Sequence, residues 1–253
     1  MAEIQVDQIN LIDVLANVRI INISEIKIIQ EVVSFIETHY KDCKSTISVA
    51  EVTALILNRD DIPNLYATSK RGHHNQILEF QNQFGINGFK IKEKLVPWAL
   101  DKVIRSGLSQ NLNQDLTQAI DVSKRSAPLN SESLLEIAAS IDLANVVEFQ
   151  VIKEAVNHIN LKYSQAAKKI NLSDVCALVL NHDDVISLYA TSEAEYNKLQ
   201  DTYIAKYQSQ TNAIIHKMVE KIYHEGSEYS LSHDSLVAVN FQRRKKLAKF
   251  WNI

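Results

Sequence analysis

Residues 52–69 read Val-Thr-Ala-Leu-Ile-Leu-Asn-Arg-Asp-Asp-Ile-Pro-Asn-Leu-Tyr-Ala-Thr-Ser, and residues 175–192 read Val-Cys-Ala-Leu-Val-Leu-Asn-His-Asp-Asp-Val-Ile-Ser-Leu-Tyr-Ala-Thr-Ser, an offset of 123 in a chain of 253. A self-match at a fixed period constrains architecture before any local feature does, because each copy must fold by the same rules. Between Glu51 and Ser69, 12 of 19 positions are identical to their counterparts. At the same offset the match extends upstream through Asn22/Asn145, Glu25/Glu148, Ile29/Ile152, Val33/Val156 and Tyr40/Tyr163. Downstream it weakens to apolar likeness, as in Phe80/Tyr203, Ile91/Ile214 and Val96/Val219. The expectation is a tandem duplication: a first module over 1–123, a linker over 124–132 around Pro128, and a second module over 133–253.

The fold class expected is all-α, with five to six helices per module. Five glycines and three prolines in the whole chain leave few of the turns that hairpins, sandwiches and phosphate loops require. Ile26, Ile29, Val33 and Ile36 recur at three- and four-residue spacings, and Phe149, Ile152, Val156 and Ile159 repeat that stripe. Helix starts are marked by Asn10-x-x-Asp13, Asn22-x-x-Glu25 and Ser48-x-x-Glu51, with counterparts at Ser133-x-x-Glu136, Asn145-x-x-Glu148 and Asn171-x-x-Asp174. Residues 193–225 read as one long helix or a helix pair, and 235–251 as a terminal helix. No sustained strand alternation occurs.

Composition narrows the function classes. Apolar residues at 46% and charged residues at 23% are ordinary globular values. Residues 1–123 carry 12 basic and 15 acidic side chains, and the remainder carries 15 of each, so neither half is a basic nucleic-acid domain. Cys43 and Cys176 occupy non-equivalent repeat positions and make no disulfide framework. No leader and no apolar run of membrane-spanning length is present, so the expected location is cytoplasmic.

The repeated turn holds the chemistry-bearing letters. Asp60 and Asp61 precede Tyr66, as Asp183 and Asp184 precede Tyr189, and paired carboxylates near a phenol can hold a cation or move a proton. Punctuation explains most of the same letters. Asn58 and Asn181 suit a left-handed helix end, Asp60 or Asp61 a cap on the next helix, and Pro63 a first turn. Each cap is worth about 1 kcal/mol. The tyrosine hydroxyls then need acceptors, for which Asp61 and Asp184 stand nearest in sequence. Thr191-Ser192 with Glu195 adds a capping box that the first copy breaks at Gly72.

Other candidates are weaker. His73 and His74 adjoin Lys70 and Arg71 but lack metal-ligand spacing, and no Gly-rich phosphate loop occurs. No cofactor or metal is implied. The last stretch carries Arg243, Arg244, Lys245, Lys246 and Lys249 among Phe241, Leu247, Phe250 and Trp251, and suits either an anionic surface or a packed final helix.

The function expected is therefore non-enzymatic: an adaptor, regulator or inhibitor presenting two related helical surfaces to a macromolecular partner, foremost a protein. Its candidate contacts are Asp60, Asp61, Tyr66, Asp183, Asp184, Tyr189, Arg243, Arg244, Lys245 and Lys246. For the basic segment, nucleic acid or an anionic membrane are the other partners. One alternative is a DNA-binding regulator with helix-turn-helix-like pairs at 48–72 and 171–192, opposed by the aspartates that would face phosphate. Another is an enzyme with a carboxylate and tyrosine site between the modules.

Overall fold

The computed structural model describes residues 14, 18–40, 47–106, 137–165, 170–226 and 235–251. The linker at 124–132, Cys43 and the caps expected at Asn10 and Ser133 lie outside the described residues.

In chain order the elements are β1 (Ile21–Asn22), α1 (Ile23–His39), α2 (Val49–Leu57), β2 (Tyr66–Ala67), α3 (Lys70–Phe84) and α4 (Val96–Ser106). A short 3-10 turn, Ile86–Gly88, and a wide turn, Ile91–Leu95, lead into α4. Then follow β3 (Ala144–Asn145), α5 (Val146–Tyr163), α6 (Leu172–Leu180), β4 (Tyr189–Ala190), α7 (Glu193–Lys206), α8 (Gln208–Glu225) and α9 (Ser235–Phe250). The molecule is mostly helical, as expected. The starts of β1, α1, α2, β2 and α3 recur 123 residues later as β3, α5, α6, β4 and α7.

Caps expected from the sequence form at four of these starts. The Asn22, Ser48, Asn145 and Asn171 side chains each accept a backbone N–H from the first turn of the helix that follows. The stripe Ile26, Ile29, Val33 and Ile36 is buried. Its counterpart buries Phe149, Ile152 and Ile159 and leaves Val156 half-buried. Residues 193–225 are a helix pair, broken at Tyr207, whose N–H still bonds the Tyr203 carbonyl.

Two ladders were not expected. β1 pairs antiparallel with β2 (Ile21 with Ala67, Asn22 with Tyr66), and β3 pairs with β4 (Ala144 with Ala190, Asn145 with Tyr189). At two residues per strand they are too short for alternation to show in sequence. Each extends into its helix, with Ile23 N–H donating to the Leu65 carbonyl and Val146 N–H to the Leu188 carbonyl, both at 2.8 Å.

The apolar interior forms two clusters, and the halves exchange residues between them. Val18, Ile20 and Tyr66 pack with the cluster built from residues beyond 143. Ile137, Ala138, Ile141, Leu143 and Tyr189 pack with the cluster of the first half. Ile141, Leu143 and Tyr189 are the repeat counterparts of Val18, Ile20 and Tyr66. The exchange is reciprocal, and it places the segment before each first strand in the core of the other half.

Candidate functional site at the junction of the halves

The exchanged tyrosines mark the centre of the molecule. Asn22 closes β1 and caps α1, so its side-chain oxygen is held by Glu25 N–H at 3.2 Å and its amide nitrogen is free to point across the junction. There it donates to the Tyr189 hydroxyl at 2.8 Å. Asn145 does the same in reverse, accepting from Val147 N–H and Glu148 N–H and donating to the Tyr66 hydroxyl at 3.1 Å. The Tyr66 hydroxyl then donates to Glu148 Oε2 at 2.8 Å, while the Glu25 carboxylate lies close enough to the Tyr189 hydroxyl to add to the rise that burial gives its pKa.

The tyrosine backbones are clipped across the same junction. Tyr66 N–H donates to Asn181 Oδ1 at 2.6 Å while Asn181 Nδ2 donates to the Tyr66 carbonyl at 2.8 Å. Tyr189 N–H donates to Asn58 Oδ1 at 2.6 Å and receives the reciprocal bond on its carbonyl at 3.0 Å. Each asparagine amide thus pairs both backbone groups of a tyrosine, as a strand neighbour would. Asn64 sits between them, donating to the Val185 carbonyl at 3.1 Å and accepting from its own counterpart, Ser187.

Two buried carboxylates face each other electrostatically, and α9 supplies a cation to each. Arg243 binds Glu25 and the Ala138 carbonyl. Arg244 lies 3.4 Å from Glu148 Oε1 through Nε and donates to the Val18 carbonyl at 2.9 Å. All four charged side chains are at most 8% exposed. Leu247, Ala248 and Trp251 of the same segment are buried in the second cluster, with Trp251 against Tyr196.

Burial raises the Glu25 pKa, with Arg243 opposing and Glu148 reinforcing the rise. Burial also lifts Tyr66 and Tyr189 well above the usual phenol range, and the nearby carboxylates push the same way. Both phenols therefore remain proton donors. The Cys176 thiol, equally enclosed, is pushed up as well and is no thiolate nucleophile. What such an arrangement does chemically is clamp: the tyrosines, the asparagine amides and the two arginines bond neighbours from the other half or from another element.

Several sequence expectations change. Asp60, Asp61, Asp183 and Asp184 are exposed and do not receive the tyrosine hydroxyls. Asp61 is held by Arg59 through two bonds of 2.7 and 2.8 Å, which lower its pKa, and Asp184 lies 3.7 Å from His182. Neither aspartate of the first pair caps a helix, since α3 is capped by Ser69 through Gly72 N–H at 3.0 Å. Pro63 lies in the connector rather than in a helix. Asn58 and Asn181 end their helices with φ of −80° and −87°, so neither is left-handed. The second-copy capping box does form, with Glu195 N–H on Ser192 and Thr191 N–H on Glu195.

Helix-turn-helix spacing is absent at 48–72, because residues 58–69, including β2, separate α2 from α3, and the same holds between α6 and α7. Within the basic segment, Arg243 and Arg244 are interior residues rather than surface contacts. Lys246 pairs with Asp142 and the Ser140 carbonyl, both at 2.9 Å, and Lys245 is exposed.

Sequence reasoning passed over Glu25 and Glu148, which read only as partners of caps, and over the asparagine amides. The available signal was identity: Asn22, Glu25, Asn58 and Tyr66 all have the same residue 123 positions later. Among the described residues no group of histidines, cysteines and carboxylates is arranged to hold a metal, and no helix is long and apolar enough to cross a membrane. Comparison with protein families, curated proteins and solved structures found no match.

Proposed function

We propose that this chain is a non-enzymatic cytoplasmic binding protein, a tandem duplication whose halves are locked into one scaffold that presents helical surfaces to a protein partner. The observation that carries this reading is the reciprocal set of asparagine-tyrosine bonds across the junction, with Tyr66 bonded to Glu148 as well. The shared asparagines and tyrosines are spent on holding the copies together, while recognition is assigned to surfaces where the copies differ.

The outward starts of α3 and α7 differ most plainly. α3 opens Lys70-Arg71-Gly72-His73-His74, whereas α7 opens Glu193-Ala194-Glu195-Tyr196-Asn197. A basic start matched by an acidic one, with Lys70 equivalent to Glu193, suits a partner that reads the halves differently. Beside α3, a groove of about 100 Å³ runs between it and α1, lined by Ile23, Ile26, Lys27, Gln30, His73 and Ile77. Acidic partner segments fit that face.

The test is affinity capture from the native cell with the full chain, and with Lys70→Glu and Arg71→Glu combined. These side chains are exposed, so folding should persist, which thermal unfolding checks. A protein captured by the parent chain and lost by the variant is expected. Equal capture by both would place recognition elsewhere, and a salt-sensitive nucleic acid captured in its place would favour the DNA-binding alternative.

A further inference from the structure

The connection between α3 and α4 is built differently from its counterpart. In the second half α7 passes into α8 with only Tyr207 between them. In the first half Gly85 and Gly88 take φ of +84° and +64° and fold residues 86–88 into the 3-10 turn. Gly88 also lies flat against α1, where a Cβ would stand 3.1 Å from Glu31 Cγ. Lys90 Nζ donates to the Gln83 carbonyl at 2.7 Å and ties the turn to the end of α3. The turn is therefore a shaped feature.

Its outward residues are apolar. Ile86 is 78% exposed and Phe89 63%. They flank the turn, Ile86 at its start and Phe89 just past Gly88, so two large apolar side chains stand in solvent three residues apart. Within residues 86–95, Lys90 and Lys94 are exposed and Lys92 is half-buried, against one exposed acid, Glu93; Glu31 lies beneath the turn, and the exposed Asp61 is reached from it through Lys90 and Gln83. The chain as a whole carries a net charge of −3, so this local excess of lysine runs against its composition. The other half supplies an internal contrast: Ile86, Phe89, Lys90 and Lys92 correspond to Ser209, Asn212, Ala213 and Ile215.

We propose that the Ile86/Phe89 pair inserts into the interface of an anionic lipid surface, with Lys90, Lys92 and Lys94 at the level of the headgroups. An exposed aliphatic and an exposed aromatic residue three apart on a turn can enter the boundary between headgroups and acyl chains. Lysines beside such a pair add attraction for acidic headgroups that falls off within a Debye length. One small pair makes the attachment weak and reversible. This inference goes beyond the protein-binding reading and fails or survives independently of it.

The test is co-sedimentation of the full chain with vesicles of phosphatidylcholine alone and with about one-third phosphatidylserine. Binding is expected to the anionic vesicles at about 0.1 M salt and to be largely lost at about 1 M. Ile86→Ser with Phe89→Asn, the residues of the other half, should weaken it at least about tenfold with the melting temperature unchanged. Lys90→Gln with Lys94→Gln should weaken it about tenfold on anionic vesicles only. No sedimentation at low salt, equal binding by the Ile86/Phe89 variant, or equal binding to neutral vesicles would overturn the proposal. So would self-association without lipid that the same variant abolishes, since the pair would then serve a second copy.

Discussion

The Tyr66 hydroxyl donates to the Glu148 carboxylate at 2.8 Å in a fully enclosed site, although 82 residues separate the two in the chain. At the mirror position the Tyr189 hydroxyl accepts from Asn22 at 2.8 Å, with the Glu25 carboxylate close by. A tyrosine from the repeated turn of each half thus bonds the cap of the other half's first long helix, and Tyr66 also bonds a residue of that helix's first turn.

Removing that hydroxyl leaves a buried carboxylate short of a donor. Tyr66→Phe should therefore cost about 1–3 kcal/mol in urea unfolding at neutral pH. Asp61→Ala, at an exposed side chain, should stay within about 0.5 kcal/mol. The reverse order of the two losses would return the tyrosine's role to the aspartate beside it in sequence.

Arg243→Met should cost about 3–5 kcal/mol at neutral pH, because it strands the Glu25 carboxylate away from water. The loss is pH-dependent with a definite sign. Glu25 has a folded-state pKa raised above the ordinary 4.5, so its contribution is present below that value and disappears as pH rises through the folded one. Without Arg243 the pKa rises further. The variant should recover stability relative to the parent as pH falls toward 4.5, and Glu25→Gln should rescue it at neutral pH. A deficit that stays constant across this range would contradict the pairing.

His158 stacks on His216 with ring centres 3.8 Å apart, and its pKa is lowered by burial, then by His216 and Lys162, with Glu220 opposing. A depressed base stabilises the fold above its unfolded value of 6.5, and that stability is lost as pH falls through the folded value. Unfolding midpoints should drop between about pH 7.5 and about pH 5.5. His158→Phe installs the residue found at the equivalent Phe35, which stacks on His39 at 4.1 Å, and should flatten that drop. An unchanged drop in the variant would assign it to other groups.

The helices were legible because their signals are local. Spacing placed the buried faces of α1 and α5, and the caps at Asn22, Ser48, Asn145 and Asn171 fell where the side chains sit. The junction was not legible, for a physical reason visible at Asn145. Its oxygen caps α5 while its nitrogen reaches Tyr66, so one residue has both a local role and a distant one, and the local role accounts for it in sequence. Asn58 and Asn181 hid in the same way behind their helix ends. Arg243 and Arg244 read as a solvated charge run because their partners, Glu25 and Glu148, lie 218 and 96 residues upstream. Nothing local marks a charge for burial until its counter-charge is placed.

The central claim is that the two halves interlock, and the chain carries its own reporters for it. Its two tryptophans are Trp98, in α4 of the first half, and Trp251, in the core of the second. Urea unfolding of Trp251→Phe and of Trp98→Phe, each followed by the fluorescence of the remaining tryptophan and by helical circular dichroism, reads each half against the whole. The interlocked account predicts that, within each variant, both probes trace one transition with one midpoint. Separate midpoints for tryptophan fluorescence and helix loss would show halves that unfold independently, and would contradict it.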